Sequence, residues 1–582
     1  MPTSVSSRAM SKTIVTRDSR GAGDRLPDSL HPVLRRIYAC RGVENAEELN
    51  LGLDALLPVE LMTGADEAAR IIAGQMENDG HILVIGDFDC DGATSTALSV
   101  LALRAMGARQ VDYLVPNRFE YGYGLTPEIV ELAARDKPDL IITVDNGVSS
   151  VDGVAAANAL GIPVIVTDHH LPGEQLPAAA AMVNPNLPDS RFPAKSTAGV
   201  GVIFYVLLAL RALLRDRQWF RGRAEPNMAD YLDLLALGTV ADVVPLEHNN
   251  RILVRQGLAR IRAGRCRPGI SALLEVAGRS QHRVQASDLG FAVGPRLNAA
   301  GRLDDMSVGI ECLLADDPLE ARQLAVQLDT LNRDRRVIED DMRQQAEEML
   351  AGLKMKEMDL PPGLCLYDES WHQGVIGILA SRIKERHHRP VIAFAPGEGG
   401  EIKGSARSIP GVHIRDVLDE VNAKHPGLVP RFGGHAMAAG LTLASGKLDA
   451  FRAAFNEVLQ ARLEGRDLEP VIESDGEIAP QDMHLEMAGL LADGGPWGQG
   501  FPEPLFHGEF EVVQQRLLKD RHWKLVVQPA GGDQIVDAIG FNLADDMPGP
   551  LPERVLMAYQ LDINEFRGNV NLQLRIAHME AA

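Results

Sequence analysis

Three short hydrophobic segments in the first third of the chain each end in acidic or histidine side chains. They are Ile82–Gly92 (ILVIGDFDCDG), Leu140–Gly147 (LIITVDNG) and Val164–His170 (VIVTDHH). Each segment has the length of a strand and precedes helix-like sequence. This pattern is typical of a parallel α/β sheet, whose ligands lie beyond the carboxyl ends of the strands. The sequence therefore predicts five aspartates and two histidines at one edge of a sheet.

These acids and histidines have the chemistry of a metal site. Asp87, Asp89 and Asp91 leave the first strand at spacing two, and the turn before Gly92 can wrap them around an ion. Asp145, at the end of the second strand, is placed to bridge two ions. So many carboxylates repel one another unless a cation neutralises them, and their excess beside imidazole favours Mn²⁺ or Mg²⁺. Two such ions suit in-line displacement at phosphorus, which indicates a phosphoanhydride or phosphodiester substrate.

A fourth segment is expected to complete the site. Leu235–Pro245 has the pattern of a further strand and carries Asp242. A single aspartate after a strand is more often a helix N-cap or a turn residue. Four strand ends of this kind in one domain favour the metal site over that alternative.

The charge of the chain leaves two alternatives for its partner. A net charge of −22 over 582 residues argues against a nucleic acid. The charge is uneven, however, because the stretch from Arg251 to Arg283 has eight arginines and one acid, Glu275. This stretch either follows a phosphate backbone or is a solvated helix face that acids elsewhere balance.

The cysteines and the apolar runs bear on the location of the protein. The five cysteines are scattered and form no CxxC pair, so a zinc site or a disulfide framework is not expected. This usage fits a reducing cytoplasm. No apolar run reaches the length that spans a membrane.

The expected fold class is α/β, followed by a small β-domain. A length of 582 residues is too great for one hydrophobic core. The first 25 or so residues are expected to be disordered. We expect five consecutive segments: an N-terminal extension at 1–50, a parallel-sheet domain with an arginine-rich helical part at 51–315, a long connecting helix at 316–356, a second α/β domain at 357–465, and an OB-like β-barrel at 466–582.

Several motifs resemble those of a known family. GDFDCDG at 86–92, VDNG at 144–147 and TDHH at 167–170 resemble the DHH phosphoesterase superfamily, and GGHA at 433–436 resembles its DHHA1 partner domain. Three further motifs are similar to the RecJ family of single-strand-specific 5′→3′ DNA exonucleases, namely PRLNAAGR at 295–302, WHQGVIG at 371–377 and GSARS at 404–408.

The resemblance implies roles for individual residues. The implied metal ligands are Asp87, Asp89, Asp91, Asp145, His169 and Asp242. The implied catalytic residues are Asp89, Asp91, Asp145, His169 and His170. The implied contacts to the DNA strand are Arg118, Tyr123, Arg296, Asn298, Arg302, His372, Ser405, Arg407 and His435. Arg296 and Arg302 are equally ordinary as structural ion-pair residues, and a buried structural role is the alternative for His435.

The resemblance also implies a function. The chain is expected to degrade single-stranded DNA from its 5′ end to mononucleotides in DNA repair and recombination. A single-stranded-DNA-binding protein and a RecQ-type helicase are the expected partners, and the enzyme is expected to be a monomer. The alternative within the superfamily is a phosphodiesterase that acts on nanoRNA or cyclic dinucleotides, but such enzymes resemble only the DHH and DHHA1 parts. A DNA-binding scaffold without catalysis is a different class, and the complete ligand set disfavours it.

Overall fold

Two units make up the fold, and each is described by itself. The structure is a computed structural model that describes residues 12–19, 25–117, 121, 124–354, 360–464, 470–544, 547–566 and 568–582. The larger unit consists of Ile14–Asp329 and Ile472–Ala582, and the smaller unit contains Thr330–Val471. The division of the chain at residues 50, 315, 356 and 465 stays a prediction.

Strands and helices alternate up to residue 183, a run of helices from 199 to 354 follows, and strands return from residue 364 onward. The strands are β1 Thr13–Thr16, β2 His81–Ile85, β3 Gln110–Leu114, β4 Leu140–Val144, β5 Val164–Thr167, β6 Ala181–Val183, β7 Leu364–Tyr367, β8 Val391–Pro396, β9 Glu401–Arg407, β10 Arg431–Gly434, β11 Ala438–Ala444, β12 Val471–Ser474, β13 Phe506–Leu518, β14 His522–Pro529, β15 Val536–Gly540, β16 Arg554–Phe566 and β17 Asn569–Ala581. Apart from a short turn at Ala286–Asp288, the α-helices of the described residues are α1 Pro32–Cys40, α2 Ala65–Glu77, α3 Cys90–Met106, α4 Pro127–Ala133, α5 Val151–Ala159, α6 Gly199–Asp216, α7 Leu232–Ala241, α8 His248–Arg262, α9 Pro268–Val276, α10 Gly294–Leu303, α11 Ser307–Leu314, α12 Pro318–Lys354, α13 Ile376–His387, α14 Ile414–Lys424, α15 Leu448–Leu463 and α16 Leu485–Asp493.

A parallel sheet lies at the centre of the larger unit, as predicted. Its strand order is β3-β2-β4-β5-β6, and every neighbouring pair is parallel. Strands β4 and β5 are buried along their whole length, because helices cover both faces of the sheet. The carboxyl ends of β2, β4 and β5 therefore meet at one edge, where the acidic segments begin.

The segment that carries Asp242 is a helix, and the prediction of a strand there was wrong. Helix α7 ends at Ala241, and Asp242 is its C-cap residue. Eight of the ten residues of α7 are buried, so its sequence LDLLALGTVA is apolar all round. A short apolar run of this kind has no periodicity that separates a buried strand from a buried helix.

A long helix connects to the second α/β domain, as predicted. Helix α12 has 37 residues, Pro318–Lys354. In the smaller unit a sheet of order β10-β11-β9-β8-β7 follows, in which only the β7–β8 pair is parallel. Helices α14 and α15 pack on one face of this sheet and share its hydrophobic core.

The C-terminal segment closes into the predicted barrel. Its strands run β13-β14-β15-β17-β16 around a closed barrel, and only β15 and β17 pair in parallel. Alternate residues of β14 point inward, and Trp523, Leu525 and Val527 are buried. This architecture is the five-stranded barrel expected of an OB-like domain.

The expectation of disorder over the first 25 residues was wrong for Thr13–Thr16. This segment forms β1 and pairs with β12. Two backbone hydrogen bonds flank the pair, from Thr13 N to Pro470 O at 3.1 Å and from Arg17 N to Ser474 O at 2.8 Å. This polar segment near the N-terminus is ordered because it pairs with the edge of β12, a strand far along the chain. Residues 1–11 and 20–24 lie outside the described residues.

Most arginines between 251 and 283 contact other groups of the larger unit. Seven of the eight do so: Arg251 lies over the Phe501 ring, Arg255 donates to Asp493 O, Arg260 pairs with Asp230, Arg262 donates to Val284 O, Arg267 lies over the Tyr231 ring, Arg279 pairs with Asp288, and Arg283 pairs with Glu565. Three of these partners lie beyond residue 472. The stretch therefore joins the catalytic part to the C-terminal part, and neither alternative from the sequence describes it fully.

Candidate metal centre

The first acidic loop follows β2 and leads directly into α3. Asp89 is the N-cap residue of α3, and its Oδ1 accepts hydrogen bonds from Asp91 N at 2.9 Å and Gly92 N at 3.1 Å. The cap fixes the turn, so the loop has one conformation. Asp87, Asp89 and Asp91 are thereby held at the end of the sheet.

A second helix holds Asp91 from the other side. The backbone N–H groups of Gly199 and Val200, in the first turn of α6, donate to the two carboxylate oxygens of Asp91 at 2.6 and 3.0 Å. The N-terminus of a helix favours a negative charge, so α6 stabilises the carboxylate of a residue that is otherwise buried.

Asp145 lies in the middle of the site with a strained backbone. Its φ is 62°, a left-handed conformation that is uncommon for a residue other than glycine. A Cβ atom at Gly199 would lie 2.6 Å from Asp145 Oδ1, so only glycine permits α6 to approach this closely. Strain of this kind persists where the surroundings enforce it, and it is common at functional sites.

Asp168 orients the two histidines that follow it. Its Oδ1 accepts a hydrogen bond from the backbone of His169 at 2.7 Å and lies 2.7 Å from Nδ1 of the His170 ring. Asn186 and Asn184 donate to the carbonyl oxygens of His169 and His170 at 2.6 and 2.9 Å. The rings are therefore positioned by groups on neighbouring loops.

His169 brings the last acidic residue into the site. Its Nε2 lies 3.2 Å from Asp145 Oδ1 and 3.4 Å from Asp242 Oδ2. Asp242 reaches this position from the C-terminal end of α7. The segment of Asp242 is a helix and not the predicted strand, but it brings Asp242 next to His169, as expected of a segment that completes the site.

The donor atoms fall into groups that suit metal ions. Three sets of side chains have ligand atoms within 4.8 Å of one another: Asp87, Asp89 and Asp145; Asp91, His169 and Asp242; and Asp145, His169 and His170. The first two sets share no member, and together they contain the six predicted ligands. Asp145 and His169 each belong to two of the three sets, and of these two only the carboxylate of Asp145 has two oxygens with which to bridge two ions. The residues thus fit two ions, and their mainly carboxylate character suits Mn²⁺ or Mg²⁺.

The protonation of the site reflects this crowding of acids. Burial, and then the charge of Asp89, raise the pKa of Asp91 to about 7. Burial and neighbouring carboxylates also raise the pKa values of Asp145 and Asp242 well above their ordinary value. Burial would lower the pKa of His170, but its hydrogen bond to Asp168 and nearby carboxylates raise it to about 9. Without a cation, the site therefore retains protons near neutral pH.

Metal binding is expected to release protons and to weaken as the pH falls. Because the pKa of Asp91 is raised to about 7, a metal ion must displace a proton from it below that pH. We expect titration calorimetry with Mn²⁺ to give weaker binding at about pH 6 than at about pH 8. Buffers of different ionisation enthalpy should reveal the released protons. Equal affinity at both pH values would contradict this prediction.

The motif PRLNAAGR supplies one positioning contact and one buried ion pair. Asn298 Oδ1 accepts a hydrogen bond from Cys90 N at 2.7 Å, so α10 supports the acidic loop. Arg296 is buried and pairs with Asp329, with Nε and Nη2 at 2.9 and 2.8 Å from Oδ1. Arg296 therefore forms a structural ion pair, which is the alternative to DNA binding that the sequence analysis left open. Arg302 is half-buried.

Four further predicted DNA contacts, His372, Ser405, Arg407 and His435, lie on the smaller unit. Ser405 and Arg407 alternate on β9 with residues that face the core, so they occupy the opposite face. Arg407 Nη1 donates to Ser405 Oγ at 3.0 Å, and His372 Nδ1 accepts from Gly374 N at 3.1 Å. His435 is exposed, which argues against a buried structural role.

Arg407 is the most distinctive of these residues. It is largely shielded from solvent, and burial lowers its pKa. Within the described part of the chain, no carboxylate lies within ion-pair distance of it. Across the sheet, Ser405 faces Gly440, and Gly440 faces Gly433, so the neighbouring strands leave open space beside it. A shielded guanidinium beside bare backbone is suited to bind an anion.

Two predicted contacts, Arg118 and Tyr123, lie outside the described residues. Sequence reasoning also missed residues that the structure places at the site. Asp168 was counted among the acids but given no role, although it orients His170. The first turn of α6 was not predicted to contact the site. Its GVG sequence at the start of an apolar helix is only a weak indication of such a contact, because the contact depends on how α6 packs against the distant acidic loop.

No helix within the described ranges is both long and apolar enough to cross a membrane.

Comparisons with known families cover most of the chain. Residues 81–239 match the model of the DHH family, N-terminal domain. Residues 361–461 match the DHHA1 domain, and residues 474–578 match the RecJ OB domain. The metal-site residues from Asp87 to His170 lie inside the first match, whereas Asp242 follows it by three residues.

Curated relatives and solved structures extend the match to almost the full length. The single-stranded-DNA-specific exonuclease RecJ of Dickeya dadantii is 56% identical over 561 residues, which cover 96% of this chain and 97% of that protein. The protein of the same name from Escherichia coli is 56% identical over 95% of this chain and 96% of its own length. The crystal structure of RecJ in complex with Mn²⁺ from Thermus thermophilus has a TM-score of 0.80 at 30% identity and covers 99% of this chain and 80% of that one. The corresponding Mg²⁺ complex has a TM-score of 0.74 at 29% identity and covers 99% of this chain and 79% of that one. The chain therefore belongs to the RecJ family of single-stranded-DNA-specific exonucleases.

Proposed function

We propose that this protein is a metal-dependent exonuclease that degrades single-stranded DNA from the 5′ end to mononucleotides in DNA repair and recombination. The observation that carries the proposal is the pair of separate three-residue ligand sets at the edge of the parallel sheet. Full-length similarity to exonucleases of this name supports the substrate. The alternative, a phosphodiesterase for nanoRNA or cyclic dinucleotides, is not supported, because the match includes the OB domain.

The proposed ligands are those of the two sets, with His170 beside them. Asp87 and Asp89 would hold one ion, and Asp91, His169 and Asp242 would hold the other. Asp145, which belongs to the first set and lies 3.2 Å from His169 Nε2 of the second, would contact both ions. Mn²⁺ and Mg²⁺ are the ions bound in the two Thermus thermophilus structures. When bound, such ions supply an activated water and neutralise charge on the phosphoryl oxygens.

The protein itself positions the reacting groups. Helix α6 and the capped turn of α3 keep the acids in place before substrate arrives, so no reorganisation is needed during the reaction. Asp168 holds Nδ1 of His170. We propose that His170 contributes its Nε2, either as a ligand or as a hydrogen-bond donor to the substrate phosphate.

The pocket around Arg407 is the proposed binding site for the 5′-terminal phosphate. A terminal monoester carries more negative charge than an internal diester, and arginine binds phosphate bidentately. Ser405 adds a hydroxyl group next to the guanidinium. His372, His435, Asn298 and Arg302, with Arg118 and Tyr123, remain proposed contacts for the strand. Arg296 is the weakest of the proposed contacts, because its guanidinium is engaged with Asp329.

The function is tested directly by labelled substrates. The protein with Mn²⁺ should release mononucleotides from a 5′-phosphorylated single strand, and a strand labelled at the 5′ end should lose its label first. A blunt duplex of the same sequence should resist, and a chelator should stop the reaction. Release from the 3′ end, or equal cleavage of the duplex, would refute the proposal.

Substitution of Arg407 is expected to remove the preference for a 5′-phosphate. Arg407→Ala should lower cleavage of 5′-phosphorylated DNA by about tenfold or more, because a charge-assisted contact is lost, and should change cleavage of 5′-hydroxyl DNA little. The measurement is the ratio of kcat/KM for the two substrates. Arg415→Ala is the matched control, since Arg415 is exposed on α14 at the other face of the sheet. An unchanged ratio would place end recognition elsewhere.

Partners and location are proposed from the family resemblance. A single-stranded-DNA-binding protein and a RecQ-type helicase would supply the open strand, and the enzyme would act as a monomer. The five cysteines are all free, which supports a reducing cytoplasm.

A further inference from the structure

Three large hydrophobic side chains are exposed on segments that carry the metal ligands or that pack against the helix before Asp242. Phe291 is 81% exposed, Val243 is 62% exposed, and Leu171 is 57% exposed. Val243 follows the ligand Asp242 directly, and Leu171 follows His170 directly. An otherwise charged site thus has apolar surface at its border.

The turn that carries Phe291 is built against the helix that ends at Asp242. Leu289–Val293 forms a π-helix, in which Leu289, Ala292 and Val293 are buried. A Cβ atom at Gly290 would lie 3.1 Å from Val240 Cγ1, and one at Gly294 would lie 3.2 Å from Ala241 Cβ. The two glycines let the turn lie close against α7. The buried side chains of Leu289, Ala292 and Val293 fix the turn against the core, so the side chain of Phe291 is directed to the solvent.

The same helical segment continues along the site. After the π-helix, α10 runs on to Leu303, and Asn298 in its middle contacts Cys90 of the acidic loop. The segment therefore touches the neighbours of Asp242 at its start and those of Asp89 and Asp91 further on. Phe291 lies at the end nearer Asp242. π-Helical turns are rare and are frequently found at functional sites.

Folding does not explain the apolar character of this border. A phenylalanine that is 81% exposed buries too little surface to stabilise the fold appreciably. Val243 has a φ of 61°, which is a strained conformation for a β-branched residue. A polar residue would be more favourable at both positions if only stability mattered.

We propose that Phe291 forms a stacking platform for a nucleobase of the single strand next to the scissile phosphodiester. The inference rests on the proposed function and adds a residue that positions the substrate. A nucleobase is the group that best fits this apolar surface. A substrate that contacts Phe291 must also place a phosphate at the adjacent metal ligands, and a nucleotide carries both groups. Stacking on an aromatic ring is tolerant of sequence, since every base has a π-face.

The test compares intact and abasic substrates. Phe291→Ala should raise KM for 5′-phosphorylated single-stranded DNA by about tenfold and change kcat less than about twofold, as expected for the loss of one stacked base. Phe291→Trp should restore KM. A strand in which one nucleotide near the 5′ end is abasic should be cleaved with the same KM by the wild type and by Phe291→Ala, for at least one position of the lesion.

The control is Leu160→Ala. Leu160 is also exposed, but it follows α5 and precedes β5, so it lies at the opposite edge of the sheet. The thermal midpoints of all variants should agree. An unchanged KM in Phe291→Ala, or an equal rise in KM on every abasic substrate, would overturn the platform. Absence of nuclease activity in the wild type would instead refute the proposed function.

Discussion

Replacing Asp145 by alanine is expected to abolish hydrolysis of single-stranded DNA, with a loss of at least about a thousandfold in kcat, or ~4 kcal/mol. Asp145 belongs to two of the three ligand sets, so its loss disturbs both proposed ion positions. Asp87 belongs to one set, and Asp87→Ala should lose less activity. Asp145→Glu should also be inactive, because the extra methylene group displaces the carboxylate from its position 3.2 Å from His169 Nε2.

The experiment measures both catalysis and binding. Mononucleotide release is followed with Mn²⁺, and strand binding is measured in the presence of a chelator, where Asp145→Ala should bind like the wild type. Asp152→Ala is the matched control, since Asp152 is an exposed aspartate in the first turn of α5. Turnover by Asp145→Ala within about tenfold of the wild-type rate would contradict a two-ion site bridged by this residue.

Replacing Asp475 by alanine is expected to destabilise the larger unit by about 3–5 kcal/mol. Asp475 pairs with Arg41 through two contacts of 2.7 and 3.0 Å, and the two side chains are 0% and 1% exposed. It also accepts a hydrogen bond from Leu505 N at 2.9 Å. The substitution leaves the charge of Arg41 buried without its carboxylate. It also removes one of the contacts between the end of α1 and the segment before the barrel.

The measurement is the free energy of unfolding in urea. The double variant Arg41→Met/Asp475→Leu should recover much of the stability, because replacing both charges removes the buried ion. Glu44→Ala is the control, since its pair with Arg25 is 3.2 Å long but exposed, and such pairs contribute about 0–1 kcal/mol. A loss for Asp475→Ala no greater than that of Glu44→Ala would show that the buried pair adds nothing.

Much of the fold was predictable because its signals are local. The apolar runs at β2, β4 and β5 are bounded by acids, and the amphipathic pattern of α12 extends over many turns. The alternating segments of the C-terminal part predicted an OB-like barrel within 466–582, and the barrel strands span Phe506–Ala581. Such patterns show which side of a helix or strand is buried. They can therefore be recognised from the sequence without knowledge of the residues that pack against that side.

The errors and omissions share one physical cause, which is dependence on partners distant in sequence. Helix α7 was mistaken for a strand because full burial hides its periodicity. Strand β1 depends on β12, more than 450 residues away. An arginine in this motif suggests a DNA contact. Tertiary packing, however, places Asp329 beside Arg296, and the two side chains form an ion pair.

The sequence by itself determined which side chains reach the edge of the sheet, because strand ends and their acids are adjacent in the chain. Only the tertiary structure decided how these side chains are grouped. Helix α6 brings its N–H groups to Asp91, α7 brings Asp242 to His169, and Gly199 allows the close approach to Asp145. These contacts join residues up to 109 positions apart. Their geometry follows from helix packing against the sheet, which no local pattern encodes.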